Sequence, residues 1–388
     1  MYANLNYFAS GSHNNNNEYN FLEESAKRKL VPTHIENLSP YKPGRPTKEL
    51  CQELGVKSFI NLASNENSLG APKGVSRAIN KAISGIHCYP DALALDLRLA
   101  LAQKYLVKPQ NITVGSGSES IISNIIRTFL HGNNEVLTSE GTFVGVYLLV
   151  KANGSRLVTV PLKNYCFDLE AIADSINKNT KIIYLCNPNN PTGQIIGKDE
   201  FEQFIKKVPP HVLVILDEAY YEFACDYSYF PDSLNYRYDN VLTLRTFSKA
   251  YGLAGLRLGY GLAHECLIDY IHRIKLPFEP NTLAQVAGLA ALKDTAYIER
   301  TVQNNAQGKE FLIKHFDALG IEHVPSYANF IMINLETEQR VKLTYEGLLR
   351  QGVVIRPLTA FGLPTCMRVT IGLPRENEKF VKALKKLI

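Results

Sequence analysis

Two short apolar runs near the middle of the chain, Lys181-Ile-Ile-Tyr-Leu-Cys186 and Val212-Leu-Val-Ile-Leu216, restrict the fold more than any other feature. Neither alternates apolar with polar residues, as a strand with one wet face does, so both read as strands of a central sheet covered by helices on both faces. Similar patterns at Ile112-Thr-Val114, Glu135-Val-Leu-Thr138, Arg156-Leu-Val-Thr-Val160, Val241-Leu-Thr-Leu244 and Leu258-Gly-Tyr-Gly-Leu262 add further strands. Helical spacing links Leu93, Leu97, Ala100, Leu101 and Tyr105, and again Ile121, Ile122, Ile125, Ile126 and Phe129 after the turn Gly115-Ser-Gly-Ser-Glu119. Alternating strands and helices predict an α/β fold with a mostly parallel sheet.

The 388 residues exceed the usual size of a single core, which predicts two lobes. Beyond about Pro280 the texture changes. Helical stretches at 284–292 and 297–319 lead to strand patterns at Phe330-Ile-Met-Ile333, Val353-Val-Ile-Arg356 and Met367-Arg-Val-Thr-Ile371, and a helix over 376–387 closes a smaller α+β lobe. The expected divisions are a polar extension over 1–36, an arm over 37–71 containing the proline-rich segment Leu38 to Pro46, a large domain over 72–279 and a small domain over 280–388. A net charge of +5 is dispersed rather than collected, which predicts no nucleic-acid or membrane footprint. Seven cysteines without a C-x-x-C pair or nearby histidine spacing argue against disulfides and metal sites and for reduced thiols in the cytoplasm. Phe143-Val-Gly-Val-Tyr-Leu-Leu-Val150 is among the longest apolar runs and has the length of a core element, and the N-terminus shows no secretion pattern.

Chemistry gathers at the strand ends. Lys249, in Thr246-Phe-Ser-Lys-Ala-Tyr-Gly-Leu-Ala-Gly-Leu-Arg257, follows a strand, where α/β proteins place ligands. Such a lysine alone is more often a solvated charge. Here Ser248 precedes it and Arg257 follows eight positions on, so a hydroxyl, an amine and a planar guanidinium can converge on one small anion. An amine that condenses with a phosphorylated aldehyde is the pyridoxal phosphate arrangement. The turn Gly115–Glu119 can cradle a phosphate at a helix start; it also approaches a dinucleotide fingerprint, but Ser120 stands where a third small residue is wanted. Asp217 ends five apolar residues, an improbable place for a casual surface charge. The turn-rich Asn187-Pro-Asn-Asn-Pro-Thr-Gly193 can aim an amide inward.

Ser248-Lys249 with Arg257, the Asn187–Gly193 segment and Asp217-Glu-Ala-Tyr220 together resemble the class I and II aminotransferases of fold type I, and among them most nearly the histidinol-phosphate aminotransferases. The resemblance runs from about Leu38 to the C-terminus. It implies that Lys249 carries pyridoxal 5'-phosphate and later moves the substrate proton, and that Ser118 and Glu119 meet the phosphate through their backbone, together with Ser248 and Arg257. It further implies that Phe143 stacks on the ring, Asp217 holds the ring nitrogen protonated, and Asn190 and Tyr220 share the phenolic oxygen. Tyr89 matches a tyrosine that crosses a homodimer interface to the neighbouring phosphate. Arg368 corresponds to the ligand of the glutamate α-carboxylate, Arg356 to that of the donor phosphate, and Tyr41 to a residue of the arm that closes over the substrate. The implied reaction is ping-pong transfer from histidinol phosphate to 2-oxoglutarate in histidine biosynthesis, giving imidazole acetol phosphate and glutamate. An aromatic amino-acid aminotransferase is the nearest alternative, and a threonine-phosphate decarboxylase a more distant one. A nicotinamide-dependent dehydrogenase leaves Lys249, Asn190 and Asp217 without roles, and a non-catalytic binding protein would not need the lysine.

Overall fold

Asp217 sits at the C-terminal edge of a sheet, level with the last residue of one neighbouring strand and two residues before the end of the other, and this edge organises the molecule. The computed structural model describes residues 30–39, 53, 55–56 and 58–388. The expected extension before residue 30 and most of the proline-rich arm, with Tyr41, lie outside the described residues. In chain order the strands are β1 (Ile60–Asn61), β2 (Ile112–Gly115), β3 (Glu135–Ser139), β4 (Arg156–Val160), β5 (Thr180–Cys186), β6 (Leu213–Asp217), β7 (Val241–Thr246), β8 (Gly259–Leu262), β9 (Glu322–His323), β10 (Phe330–Asn334), β11 (Val353–Val354), β12 (Arg356–Pro357) and β13 (Cys366–Thr370). The short helix Thr33–Glu36 has no buried residue.

The larger sheet runs β2-β8-β7-β6-β5-β3-β4, and only β8 is antiparallel to its neighbours. Every residue of β3, β6 and β7 is buried, whereas the edge strand β4 is partly exposed. This is the burial expected of unalternating apolar runs sandwiched by helices. The helix Ser118–Phe129 buries Ile121, Ile122, Ile125 and Ile126 on one stripe, and these join Leu137, Ile183 and Leu216 in the main core. A second core beside β2 and β8 contains Leu97, Leu101, Val114 and Tyr260, and takes in Ala284, Ala287 and Ala291 of the helix Thr282–Leu292. Each such aliphatic side chain contributes about 1.5–3 kcal/mol when fully buried.

A four-stranded antiparallel sheet, β12-β13-β10-β9, packs on the helix Thr295–Ala318 and the closing helix Pro374–Leu384 through Leu312, Phe316, Ile331, Val369 and Phe380. The run Val353–Arg356, expected as one strand, divides. Val353 and Val354 pair in parallel with β1, while Arg356 and Pro357 pair with β13. Buried Ile355 marks the change of partner, because the backbone there turns from one set of acceptors to another. Among the described residues no helix is long and apolar enough to cross a membrane, and no cluster of three or more metal-ligating side chains occurs.

Candidate active site

Register brings the functional segments together. Cys186 lies beside Asp217 and Asp217 beside Leu244, so the segments leaving β5, β6 and β7 emerge from one edge. Next to β5 lies β3, with β4 on its far side, so the strand order reverses there and a crevice opens at the carboxyl ends.

Lys249 is half-buried in the turn after β7. Its Nζ donates to the Ser64 carbonyl at 3.2 Å and stands 5.8 Å from the centre of the Tyr220 ring. Burial and then the Arg368 guanidinium lower its pKa to about 8. Ser248, immediately before it, is buried and accepts from Arg257 Nη1 at 3.5 Å. Arg257 Nη2 also donates to Glu119 Oε2 at 3.1 Å, across the first turn of the helix Ser118–Phe129. That helix begins after Gly117, whose φ of +85° belongs to glycine and where a Cβ would lie 2.8 Å from Arg257 Nη2. Ser118, Ser248 and Arg257 therefore surround a small space at a helix N-terminus, which suits an anion.

Asp217 is 3% exposed, yet it is tied at one oxygen: the Tyr184 hydroxyl donates to Oδ2 at 2.6 Å. Oδ1 is buried without a hydrogen-bond partner. Burial pushes its pKa up to about 6, opposed by the Tyr184 hydroxyl and the Ala219 N–H. A buried carboxylate oxygen without a donor is costly, so it marks a place for a cationic N–H.

Tyr220 is buried, and its hydroxyl accepts from Asn65 Nδ2 at 2.9 Å. Burial raises its pKa, so the phenol stays protonated and its own hydrogen points onward. Asn190 accepts from Arg368 Nη1 through Oδ1, which leaves its NH2 group for another acceptor. The loop holding Asn190 is braced by its neighbours. Asn189 accepts from the Thr142 hydroxyl at 2.8 Å and donates to the Gly141 carbonyl at 3.1 Å, while Asn187 donates from its backbone N–H to the Asp217 carbonyl at 2.9 Å. Phe143 ends the segment after β3, half-buried, and a Cβ on Gly145 would come within 2.5 Å of its ring.

Arg368, on β13, also donates through Nη2 to the Ala63 carbonyl at 2.7 Å. Its antiparallel partner across the sheet is Arg356, half-buried. Tyr89 stands apart from this group: it is 81% exposed and stacks on Phe278 with ring centres 4.3 Å apart. Glu218, next to Asp217 in the chain, is buried and accepts from Arg245 at 2.7 and 3.0 Å.

Sequence reasoning missed two contributors. Tyr184 looks like one more apolar strand residue, and only the neighbouring strand shows what its hydroxyl meets. Asn65 lies in a segment expected to be part of an arm, but that segment threads the site: Ala63 and Ser64 offer carbonyls to Arg368 and Lys249, and Asn65 bonds both Tyr220 and Thr370. Two asparagines around Glu66 were the available signal.

Residues 57–384 match the sequence profile of the family described as Aminotransferase class I and II. A protein named histidinol-phosphate aminotransferase from Moorella thermoacetica is 42% identical over 357 residues, covering 91% of this chain and 92% of its own. One named histidinol-phosphate aminotransferase 2, from Carboxydothermus hydrogenoformans, is 41% identical over 92% of this chain and 99% of its own. The crystal structure of histidinol-phosphate aminotransferase from Sinorhizobium meliloti, in complex with pyridoxal-5'-phosphate, superposes with a TM-score of 0.84 at 28% identity, over 92% of this chain and 97% of that one.

Proposed function

This chain belongs to the class I and II aminotransferase family, of fold type I, and on that premise we propose that it transfers the amino group of histidinol phosphate to 2-oxoglutarate with pyridoxal 5'-phosphate as cofactor. The products are imidazole acetol phosphate and glutamate, formed in two half-reactions.

The residues present fit the cofactor. The orphaned Asp217 Oδ1 suits the protonated ring nitrogen, and the cradle of Ser118 and Glu119 backbone, Ser248 and Arg257 suits the phosphate. Phe143 offers a ring face, and Asn190 and Tyr220 each have a hydrogen left for the phenolic oxygen. Bound there, pyridoxal phosphate supplies an electron sink for the carbon that bears the amino group.

The protein's own groups do the rest. Lys249 anchors the cofactor covalently and, once released, carries the proton from the substrate carbon. With a pKa of about 8 it exists substantially as the neutral amine in mildly alkaline solution, as a base requires. Asp217 remains ionised above about pH 6 and so holds a proton on its ring partner. Asn65 donates to the Tyr220 oxygen, which leaves the Tyr220 hydrogen directed at the cofactor oxygen. Arg368 fixes the amide of Asn190 and binds the carboxylate of glutamate.

The observation that carries the substrate choice is the cross-strand pair Arg356 and Arg368. Like charges directly opposite one another destabilise a sheet, so a guanidinium held across from Arg368 favours an anion from the ligand. The Arg356 guanidinium forms no hydrogen bond or ion pair with the described residues, and it is assigned the donor phosphate. Tyr41 is assigned to the closing arm on resemblance.

In this reading the seven-stranded sheet forms the cofactor domain, 72–279, and the four-stranded sheet the small domain, 280–388, with the helix Thr282–Leu292 lodged against the former. The enzyme is a homodimer in which Tyr89 reaches the partner's phosphate. Exposed Ile86, Tyr89, Leu93, Leu276 and Phe278 support a covered apolar face. It is assigned to the cytoplasm, away from membranes and nucleic acids; the six described cysteines are all free thiols.

A donor panel tests the assignment. Histidinol phosphate, phenylalanine, tyrosine and threonine phosphate are each mixed with the holoenzyme in single turnover, and loss of the visible cofactor band is followed. Histidinol phosphate should react fastest; preference for phenylalanine would favour an aromatic aminotransferase.

A further inference from the structure

We infer that Tyr184 is a positioning residue for the amino transfer, its hydroxyl holding Asp217 ionised and oriented so that one carboxylate oxygen faces the cofactor ring. This rests on the cofactor assignment above.

The placement follows from strand register. On parallel β5 and β6, Tyr184 is level with Ile215 and Cys186 with Asp217. Tyr184 and Asp217 are therefore diagonal neighbours on one face, a separation that an aromatic side chain spans. Tyr184 is 0% exposed, and its own backbone is fixed by the Thr138 hydroxyl, which donates to its carbonyl at 2.7 Å. A phenylalanine would meet the packing demand of this strand equally well. Burying a hydroxyl is costly unless it is bonded, and this one donates to Asp217 Oδ2 at 2.6 Å.

The bond does two things. It occupies Oδ2, so the carboxylate cannot rotate freely and Oδ1 is the oxygen left open. It also supports the charge. Around Asp217, burial and Glu119 from the helix after β2 favour protonation, while the Tyr184 hydroxyl, the Ala219 N–H and Lys249 after β7 favour ionisation. Cys186 on β5 faces the same carboxylate as a neutral thiol, since burial raises its pKa. Tyr184 itself is kept protonated by burial and by Asp217, so it remains a donor throughout the working range. Without it, Asp217 takes up a proton more readily, and a neutral carboxyl cannot keep the ring nitrogen cationic.

The test uses holoenzyme loaded with pyridoxal phosphate carrying 15N in the ring, whose chemical shift reads ring protonation directly. Wild type should keep a protonated nitrogen from about pH 6 to 9, whereas Tyr184→Phe should show a smaller protonated fraction over about the lowest one to two pH units of that window, where its Asp217 has become neutral, with kcat there down about tenfold and KM little changed. A second variant carries 3-fluorotyrosine at position 184, which keeps the shape and makes the hydroxyl a stronger donor; its nitrogen should hold the proton at least as firmly as wild type. A Tyr184→Phe protein with the wild-type nitrogen shift and pH profile, altered only in melting temperature, would overturn the inference. If Tyr184→Phe does not fold, a 3-fluorotyrosine protein whose ring nitrogen is less protonated than that of wild type over the same range overturns it instead. Wild type that takes up no cofactor overturns the parent assignment, and this inference with it.

Discussion

Replacing Arg356 with alanine tests the proposal of two separate anion sites. In the structure Arg356 is half-buried on β12, with Arg368 directly across on β13. A hydrogen bond between charged partners contributes about 1.5–3 kcal/mol, and partial exposure places Arg356 in the lower half of that range. At about 1.4 kcal/mol per factor of ten, kcat/KM for histidinol phosphate should fall roughly 10–40-fold. Phenylalanine has no second anion and should lose little. 2-Oxoglutarate has a second carboxylate with less charge than a phosphate, and should fall between the two. The assay is steady-state glutamate formation at fixed ionic strength, with single-turnover bleaching of the cofactor band to separate binding from chemistry. Repeating it at high salt should shrink the difference, because a half-exposed pair is screened. Equal losses for histidinol phosphate and phenylalanine would refute the phosphate role, and would show that Arg356 serves the sheet or Arg368 instead.

Other perturbations test the remaining parts of the site. Lys249→Ala should still bind pyridoxal phosphate but transfer no amino group, and borohydride followed by intact-mass measurement should find no covalent adduct, in contrast to wild type. Asp217→Asn preserves volume while removing charge, and kcat should fall by about 100-fold or more with cofactor still bound; unchanged turnover would make the carboxylate structural. In the apoprotein the folded pKa of Asp217, about 6, lies above its ordinary 3.8. Its stabilising contribution is therefore complete below the ordinary value and lost as pH rises through about 6, so wild type should lose melting temperature across that window more steeply than Asp217→Asn. Gly193→Ala places a methyl 2.3 Å from Ser326 Oγ and 3.1 Å from its Cα at a φ of +80°. It should cost roughly 1–3 kcal/mol in denaturant melts, and wild-type stability would mean that the 326 segment moves aside freely.

Much of this was legible in the chain, for local reasons. Unalternating apolar runs require cover on both faces, and β5, β6 and β7 are accordingly buried within one or two residues of the expected bounds. Glycine turns and helical stripes mark where strands give way to helices, and functional side chains collect at those exits because the backbone there is released from the sheet. Lys249, Asp217, Asn190 and Arg257 could be singled out because each sits at a strand end or in a turn, next to residues that share its chemistry.

What only the tertiary structure decided are the partners. Tyr184 meets Asp217 across 33 residues, Asn65 meets Tyr220 across 155, and Arg368 meets Asn190 across 178. The fate of Val353–Arg356 was equally hidden, since a four-residue apolar run carries no mark of being shared between two sheets. Periodicity records which face of an element is dry, and that is a property of neighbours three or four residues apart. A buried hydroxyl or amide is satisfied by whatever the folded chain brings within 3 Å, and that depends on strand order and register. Sequence alone could therefore nominate the groups proposed for the chemistry, while the hydrogen bonds that set their charge and direction arose only when distant segments closed on one another.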